Sequence, residues 1–236
     1  MIPIRSLARK IAALEFWVVG ILLFASLIWT DLLALAVFIG VAYWFVRWAA
    51  FGKISLRTPA DWGIAILVLM AVVSLAITPM PEKSTPQVLR LISGIVIFYA
   101  IVNWGISNQR NRIILAILAL SGISLALYAL ISVEWAALKL PILPIQVYRW
   151  FSVLVSDAVH PNVMAGTLVL LAPIMLAVAL FNRWSSLVLA AEKTIFVLSA
   201  VAFMSITLIL MLTLSRSAWV TYFFVVILLI SLRWRW

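Results

Sequence analysis

The 236-residue sequence has no cysteine and a single histidine, His160. Without thiols there is no disulfide framework, no thiolate nucleophile and no thiolate metal site. Acids are scarce too: seven are spread singly from Glu15 to Glu192. None of them clusters with metal-ligand spacing, so no metal and no cofactor is expected. Charged residues of both signs make up only 10% of the chain, against about a quarter in soluble domains. An ordinary soluble domain is excluded. The net charge of +10 would suit nucleic acid if the basic residues formed a patch. They lie scattered between apolar runs instead, so no nucleic acid is expected as a partner.

What the chain has in abundance is apolar surface: 67% of it is hydrophobic and its mean hydropathy is +1.25. Apolar runs fall at about 11–29, 31–46, 62–78, 88–104, 113–132, 163–181, 194–214 and 217–232. Runs of this length predict an all-α, polytopic membrane bundle of about eight transmembrane helices. Eight of the nine prolines lie outside the runs, and Pro173 is expected to kink the sixth helix. Arg5, Arg9 and Lys10 before the first run imitate a signal peptide. The run is long for one and leads into a second, so an uncleaved first span is expected. Most runs carry no ionisable residue, and Glu15 lies near the start of the first. An ionisable group at mid-membrane costs about 2.5–3.5 kcal/mol or more and marks ion or proton paths. Its absence argues against a proton- or sodium-coupled transporter.

Lysine and arginine set the orientation. With the N-terminus inside, the cytoplasmic segments hold Arg5, Arg9, Lys10, Arg47, Lys53, Arg57, Arg110, Arg112, Arg183, Lys193, Arg233 and Arg235. The outer segments hold Lys83, Arg90, Lys139, Arg149 and Arg216. That bias predicts both termini in the cytoplasm. Three regions follow: an N-terminal five-helix membrane region (1–132), an extracytoplasmic interfacial loop (133–162) and three further helices (163–236). The loop, "VEWAALKLPILPIQVYRWFSVLVSDAVHPN", is too apolar to be solvated. Trp135, Tyr148, Trp150 and Phe151 suit the headgroup level, so it either lies on the membrane or packs over the bundle.

The polar groups able to act lie at the outer face. From Thr194 to Leu232 there are 39 residues, and Arg216 is the only charged one. One straight helix of that length would measure about 58 Å, roughly twice a bilayer core. The chain must reverse, and "LTLSRSAWV" (212–220) is where the reversal should fall. Arg216, flanked by Ser215 and Ser217 with Thr213 nearby, offers a permanently charged fork that suits phosphate oxygens. Alternatively, it snorkels to lipid headgroups. In "DAVHPNVMAG" (157–166), Asn162 is placed to cap a helix. His160 could act as a general base or be a plain loop residue. A helix start facing outward would attract an anion, and Arg149 could join it.

These elements resemble the O-antigen ligase/polymerase superfamily. That family carries a Pro-Asn-x-x-Ala element and a later Thr-x-Ser-Arg-Gly element, similar to "HPNVMAG" (160–166) and "LTLSRSAW" (212–219) at comparable separation. "TPADWGIAILVL" (58–69) and "SNQRNRIILAIL" (107–118), each opening a helix, are similar in order, so the resemblance covers most of the chain. It implies a bacterial inner-membrane, multi-pass glycosyltransferase or ligase of lipopolysaccharide or other envelope polysaccharide. Such an enzyme moves a glycan from an undecaprenyl-diphosphate donor to a glycan or lipid A-type acceptor at the periplasmic face. Membrane lipids would be its other partners. Arg216 matches the arginine thought to engage the donor diphosphate, and Arg149 an earlier arginine. Asn162, Ser215 and Ser217 would line the substrate site, with His160 a weak catalytic candidate. Ser217 departs from the family's glycine. The family's catalytic histidine lies on a distal loop that would follow Trp236, so this segment is expected to be inactive alone. The rival expectation is a small-solute transporter, similar to proteins once linked to inorganic carbon, or a membrane scaffold.

Overall fold

A computed structural model describes residues 4–26, 29, 31–133, 135, 159–181 and 190–235. Among these residues there are nine α-helices and no β-strand: α1 (Ile4–Ala12), α2 (Glu15–Ala25), α3 (Leu32–Phe51), α4 (Asp61–Ile77), α5 (Pro81–Trp104), α6 (Asn108–Ser132), α7 (Pro161–Phe181), α8 (Ala190–Thr213) and α9 (Arg216–Arg235). Six of them, α3 and α5 to α9, are long and apolar enough to cross a membrane. The chain is a polytopic helical membrane protein. α2 and α4 are apolar but only 11 and 17 residues long, about 16 and 25 Å against a ~30 Å hydrocarbon core. Each of the eight expected runs is helical in the main, but two fall short of full spanning length.

The first run departs most from expectation. A turn at Ala13–Leu14 divides it, and the Leu14 N–H bonds the Ile11 carbonyl at 3.0 Å. This i→i−3 bond tightens the end of α1. α1 is amphipathic: Arg5, Arg9 and Lys10 are exposed while Ala8 and Ala12 are buried, and the helix packs on α3. After the break, Glu15 opens α2 from a buried position. α5 also begins earlier than its apolar run, at Pro81, and so takes Pro86 into its body. Pro81 is tolerated at the helix start because its missing N–H would be unbonded there anyway.

The chain divides into two compact units, Met1–Asn111 and Arg112–Trp236. This division by packing falls inside the region 1–132 that the sequence groups as membrane helices. The reason is visible in α6. Its small residues Ala119, Ala126 and Ala129 are buried in one core with Met164 and Leu168 of α7 and Ala202 and Ile206 of α8.

In unit 1, α3 packs on α1, α2 and α5, and α4 packs on α5. Val19, Tyr43, Val96 and Ala100 form the core. Gly40 lets α3 approach α5 closely: a Cβ there would fall on Val96 Cγ1. α4 buries none of its residues. In water that would be untenable for so apolar a helix, whereas in lipid it costs little, because acyl chains are as apolar as leucine.

In unit 2, two pairs fix the direction of α6 against α8. Arg112 and Glu192 form an ion pair, and the Gly122 site abuts Ile206 and Ala202. Advancing along α6 thus advances along α8, so the two run parallel. Ser132, at the end of α6, accepts a 2.8 Å bond from the Val159 N–H just before α7. Trp135 decides between the two expectations for its own position. It is 2% exposed, and its indole N–H donates to the Leu130 carbonyl. It belongs to the core of unit 2, as the packed alternative for this segment requires. Tyr148, Trp150 and Phe151 lie outside the described residues.

Candidate functional site

The end of α8 builds the corner on which Arg216 sits. Leu214 has φ +50°, a left-handed conformation, and Ser215 follows it outside any helix. Beyond them the chain turns back. The Thr207 and Tyr222 hydroxyls lie 2.8 Å apart, and the Phe203 and Tyr222 rings stack at 6.1 Å. In a straight helix residues 207 and 222 would be about 22 Å apart, so α8 and α9 form an antiparallel hairpin. The Trp219 indole N–H closes the corner by donating to the Leu210 carbonyl at 2.9 Å. That carbonyl also accepts from Thr213 Oγ1 at 2.8 Å. A helix end leaves its last carbonyls without partners, and here two side chains satisfy one of them. The reversal expected from run length is where the length argument put it.

Of the residues singled out in the sequence, Ser215 is buried while Arg216 and Ser217 are exposed. The Ser215 and Ser217 hydroxyl oxygens are 3.5 Å apart. Arg216 is the first residue of α9, and its side chain makes no hydrogen bond or ion pair among the described residues. Asn162, expected as a helix cap, lies one residue inside α7. The cap is His160: its carbonyl accepts the Val163 N–H at 3.0 Å, and its Nδ1 accepts the Asn162 N–H at 3.2 Å. A neutral imidazole has one acceptor nitrogen. In this contact Nδ1 is the accepting nitrogen. Arg149 lies outside the described residues.

Topology brings these residues to one end of unit 2. Because α6 and α8 are parallel, Ser132 lies level with the end of α8, and the Ser132–Val159 bond brings the start of α7 to that level. His160, Asn162, Ser215, Arg216 and Ser217 thus share an end, at which α7 and α9 both begin. Two helix N-termini and one guanidinium make it electropositive. Arg112 and Glu192 mark the opposite end.

No family model, curated protein or solved structure matches the chain.

A second polar centre, in unit 1, escaped the sequence reading. Glu15, 3% exposed, pairs with Arg47 at 3.1 Å. Both Glu15 oxygens lie 3.4 Å from the Asn103 amide nitrogen. Asn103 in turn accepts from Ser55 Oγ at 3.1 Å and from the Leu56 N–H at 3.2 Å. One amide thereby ties α2, α5 and the segment after α3 together. The Arg47 guanidinium also lies over the Phe51 ring, 5.2 Å from its centroid. The signal in the sequence was an acid, an arginine and an asparagine in or beside three separate apolar runs.

Proposed function

We propose that this protein is a membrane glycan transferase of the O-antigen ligase/polymerase type, acting on an undecaprenyl-diphosphate-linked donor at the periplasmic face of a bacterial inner membrane. The observation that supports this reading is Arg216: an exposed guanidinium without a protein partner among the described residues, opening a helix on a braced corner. In the reaction, an acceptor hydroxyl attacks the anomeric carbon and the lipid diphosphate departs with growing negative charge. A preorganised donor fork stabilises that charge more in the transition state than in the ground state. The start of α9 adds its N–H groups and the positive end of its dipole. The acceptor's proton needs a separate base. Glu192, the carboxylate described in unit 2, lies at the wrong end, and His160 is engaged as a cap.

The test is donor engagement by the purified protein in lipid nanodiscs, with glycan transfer assayed in parallel. Arg216→Ala should abolish retention of the diphosphate-linked donor. Arg216→Lys keeps the charge but loses the two-pronged geometry and should also be impaired severely. Loss of one such donor group typically costs about 10²–10³ in rate where transfer is observed. Arg233→Ala, at the far end of α9, is the control and should behave as wild type. Wild-type donor binding in Arg216→Ala would reduce this arginine to a headgroup anchor. Uptake of a labelled small solute into proteoliposomes, with no donor binding, would replace the transferase reading with a transporter.

A further inference from the structure

Unit 1 holds a cavity of about 270 Å³ at the end where α2 begins and α3 and α5 finish. Four cations line it, Arg9, Arg47, Lys53 and Arg110, against a single carboxylate, Glu15. Glu15 is committed to Arg47 and the Asn103 amide, which leaves three cations from three different segments without a counter-charge. Arg110 is held in place by the Trp104 carbonyl at 3.4 Å and by the Trp104 ring, 5.5 Å from its guanidinium carbon. Arg9 and Lys53 are exposed, and their side chains make no hydrogen bond or ion pair among the described residues. Like charges gathered around a concavity raise its potential and its local anion concentration. The walls are apolar: Phe16 and Trp104 stack at 4.3 Å, and Phe51 lies beside Arg47.

Cations over an aromatic wall suit an anion that carries an apolar body. The volume is just below the ~300–1,000 Å³ of pockets that enclose whole small ligands, so it accommodates a headgroup and not an entire lipid. Basic pockets between membrane helices bind acidic headgroups by this arrangement. We propose that this cavity binds the phosphate of an anionic phospholipid headgroup, engaged by Arg9, Lys53 and Arg110. The site lies in unit 1 and stands or falls independently of Arg216.

The experiment is native mass spectrometry of the full chain in detergent, titrated with phosphatidylglycerol or phosphatidylcholine. The expected result is one phosphatidylglycerol held at least about tenfold more tightly than phosphatidylcholine, since each added phosphate-facing cation is worth roughly fivefold. Arg9→Gln combined with Lys53→Gln should weaken that binding roughly twenty-fivefold on the same basis. Both residues are exposed and unpartnered, so the variant should fold. Lys83→Gln with Arg90→Gln removes the same charge from the other half of α5 and should leave binding unchanged. Equal retention by the cavity variant and wild type, or no preference for the anionic lipid, would overturn the proposal. A parallel arm adds millimolar inorganic phosphate and reads thermal stability. Phosphate-dependent stabilisation lost in the cavity variant, without lipid preference, would assign the cavity to a free phosphate and end the lipid reading.

Discussion

A carboxylate taken out of water must be compensated where it sits. Glu15 is, by Arg47, whose side chain is 11% exposed. Such a pair adds little net stability, because desolvation offsets its attraction, yet removing one partner leaves an uncompensated buried charge. Glu15→Gln should therefore lower unfolding stability in detergent by about 3–5 kcal/mol. Adding Arg47→Met should recover most of that loss. A single-variant cost below ~1 kcal/mol would mean that water reaches the pair. Asp61, outside the apolar runs, makes a contrasting case. The Thr58 hydroxyl and N–H, with help from the Tyr99 hydroxyl, hold its carboxyl below the usual carboxylate range. A depressed folded pKa contributes stability above the unfolded value of ~3.9, and that contribution disappears as pH falls through the folded value. The stability gap between wild type and Asp61→Asn should therefore be constant from neutral pH down to about 5 and shrink below about 4. A gap that widens on acidification would contradict the assignment. Glu15 could be read in the sequence as an acid in an apolar run. Its partners could not, because Arg47 and Asn103 stand 32 and 88 residues away and meet it only through packing.

At the level of the helices, two backbone positions govern how neighbours meet. Leu214 holds φ +50° between α8 and α9, a conformation that costs an L-residue roughly 1–2 kcal/mol. Leu214→Gly should be neutral or mildly stabilising, since the strain relieved offsets the lost side chain. Leu214→Val should destabilise, because a β-branched residue is least tolerant of positive φ. Melting temperatures in one detergent decide the order, and Val above Gly would refute the strained-corner account. Gly40 acts differently, through space and not through φ. Its missing Cβ admits Val96 between α3 and α5. Gly40→Ala should cost about 1–3 kcal/mol by overpacking, and adding Val96→Ala should return part of it. The hairpin corner was legible from length alone, since a 39-residue run with a single charge is too long to cross a bilayer once. Arg216's place on it was legible for the same reason. The break at Ala13–Leu14 and the early start of α5 were not. The first goes with the burial of Glu15 against Arg47, and the second joins a polar stretch to an apolar one in a single helix. The capping role of His160 was missed because a cap depends on where the helix starts, to the single residue.

At the scale of the whole molecule, charge placement meets the membrane. In unit 1, Arg9, Arg47, Lys53 and Arg110 converge at the Glu15 end, while Lys83 and Arg90 lie in the opposite half of α5. In unit 2, Arg112 and Lys193 lie at the Glu192 end, and Arg216 opens the hairpin at the other. The positive-inside bias predicts a cytoplasmic Glu15 end for unit 1 and, taken by itself, a cytoplasmic Glu192 end for unit 2. α6, which begins at Asn108 and continues through unit 2 to Ser132, is long enough to carry the chain across once from there. The orientation can be read directly, because the chain has no native cysteine and the background is clean. Single cysteines replacing Lys83 and Arg216 should react with an impermeant thiol reagent applied to intact cells. Cysteines replacing Lys53, Arg110 and Lys193 should react only after the membrane is permeabilised. All five positions are exposed, so failure to label reports sidedness and not burial. Labelling of Lys53 and Lys193 with protection of Arg216 would invert the protein in the membrane. It would also place the Arg216 corner on the side where a periplasmic glycan acceptor is absent, and the transferase reading would fall with the topology.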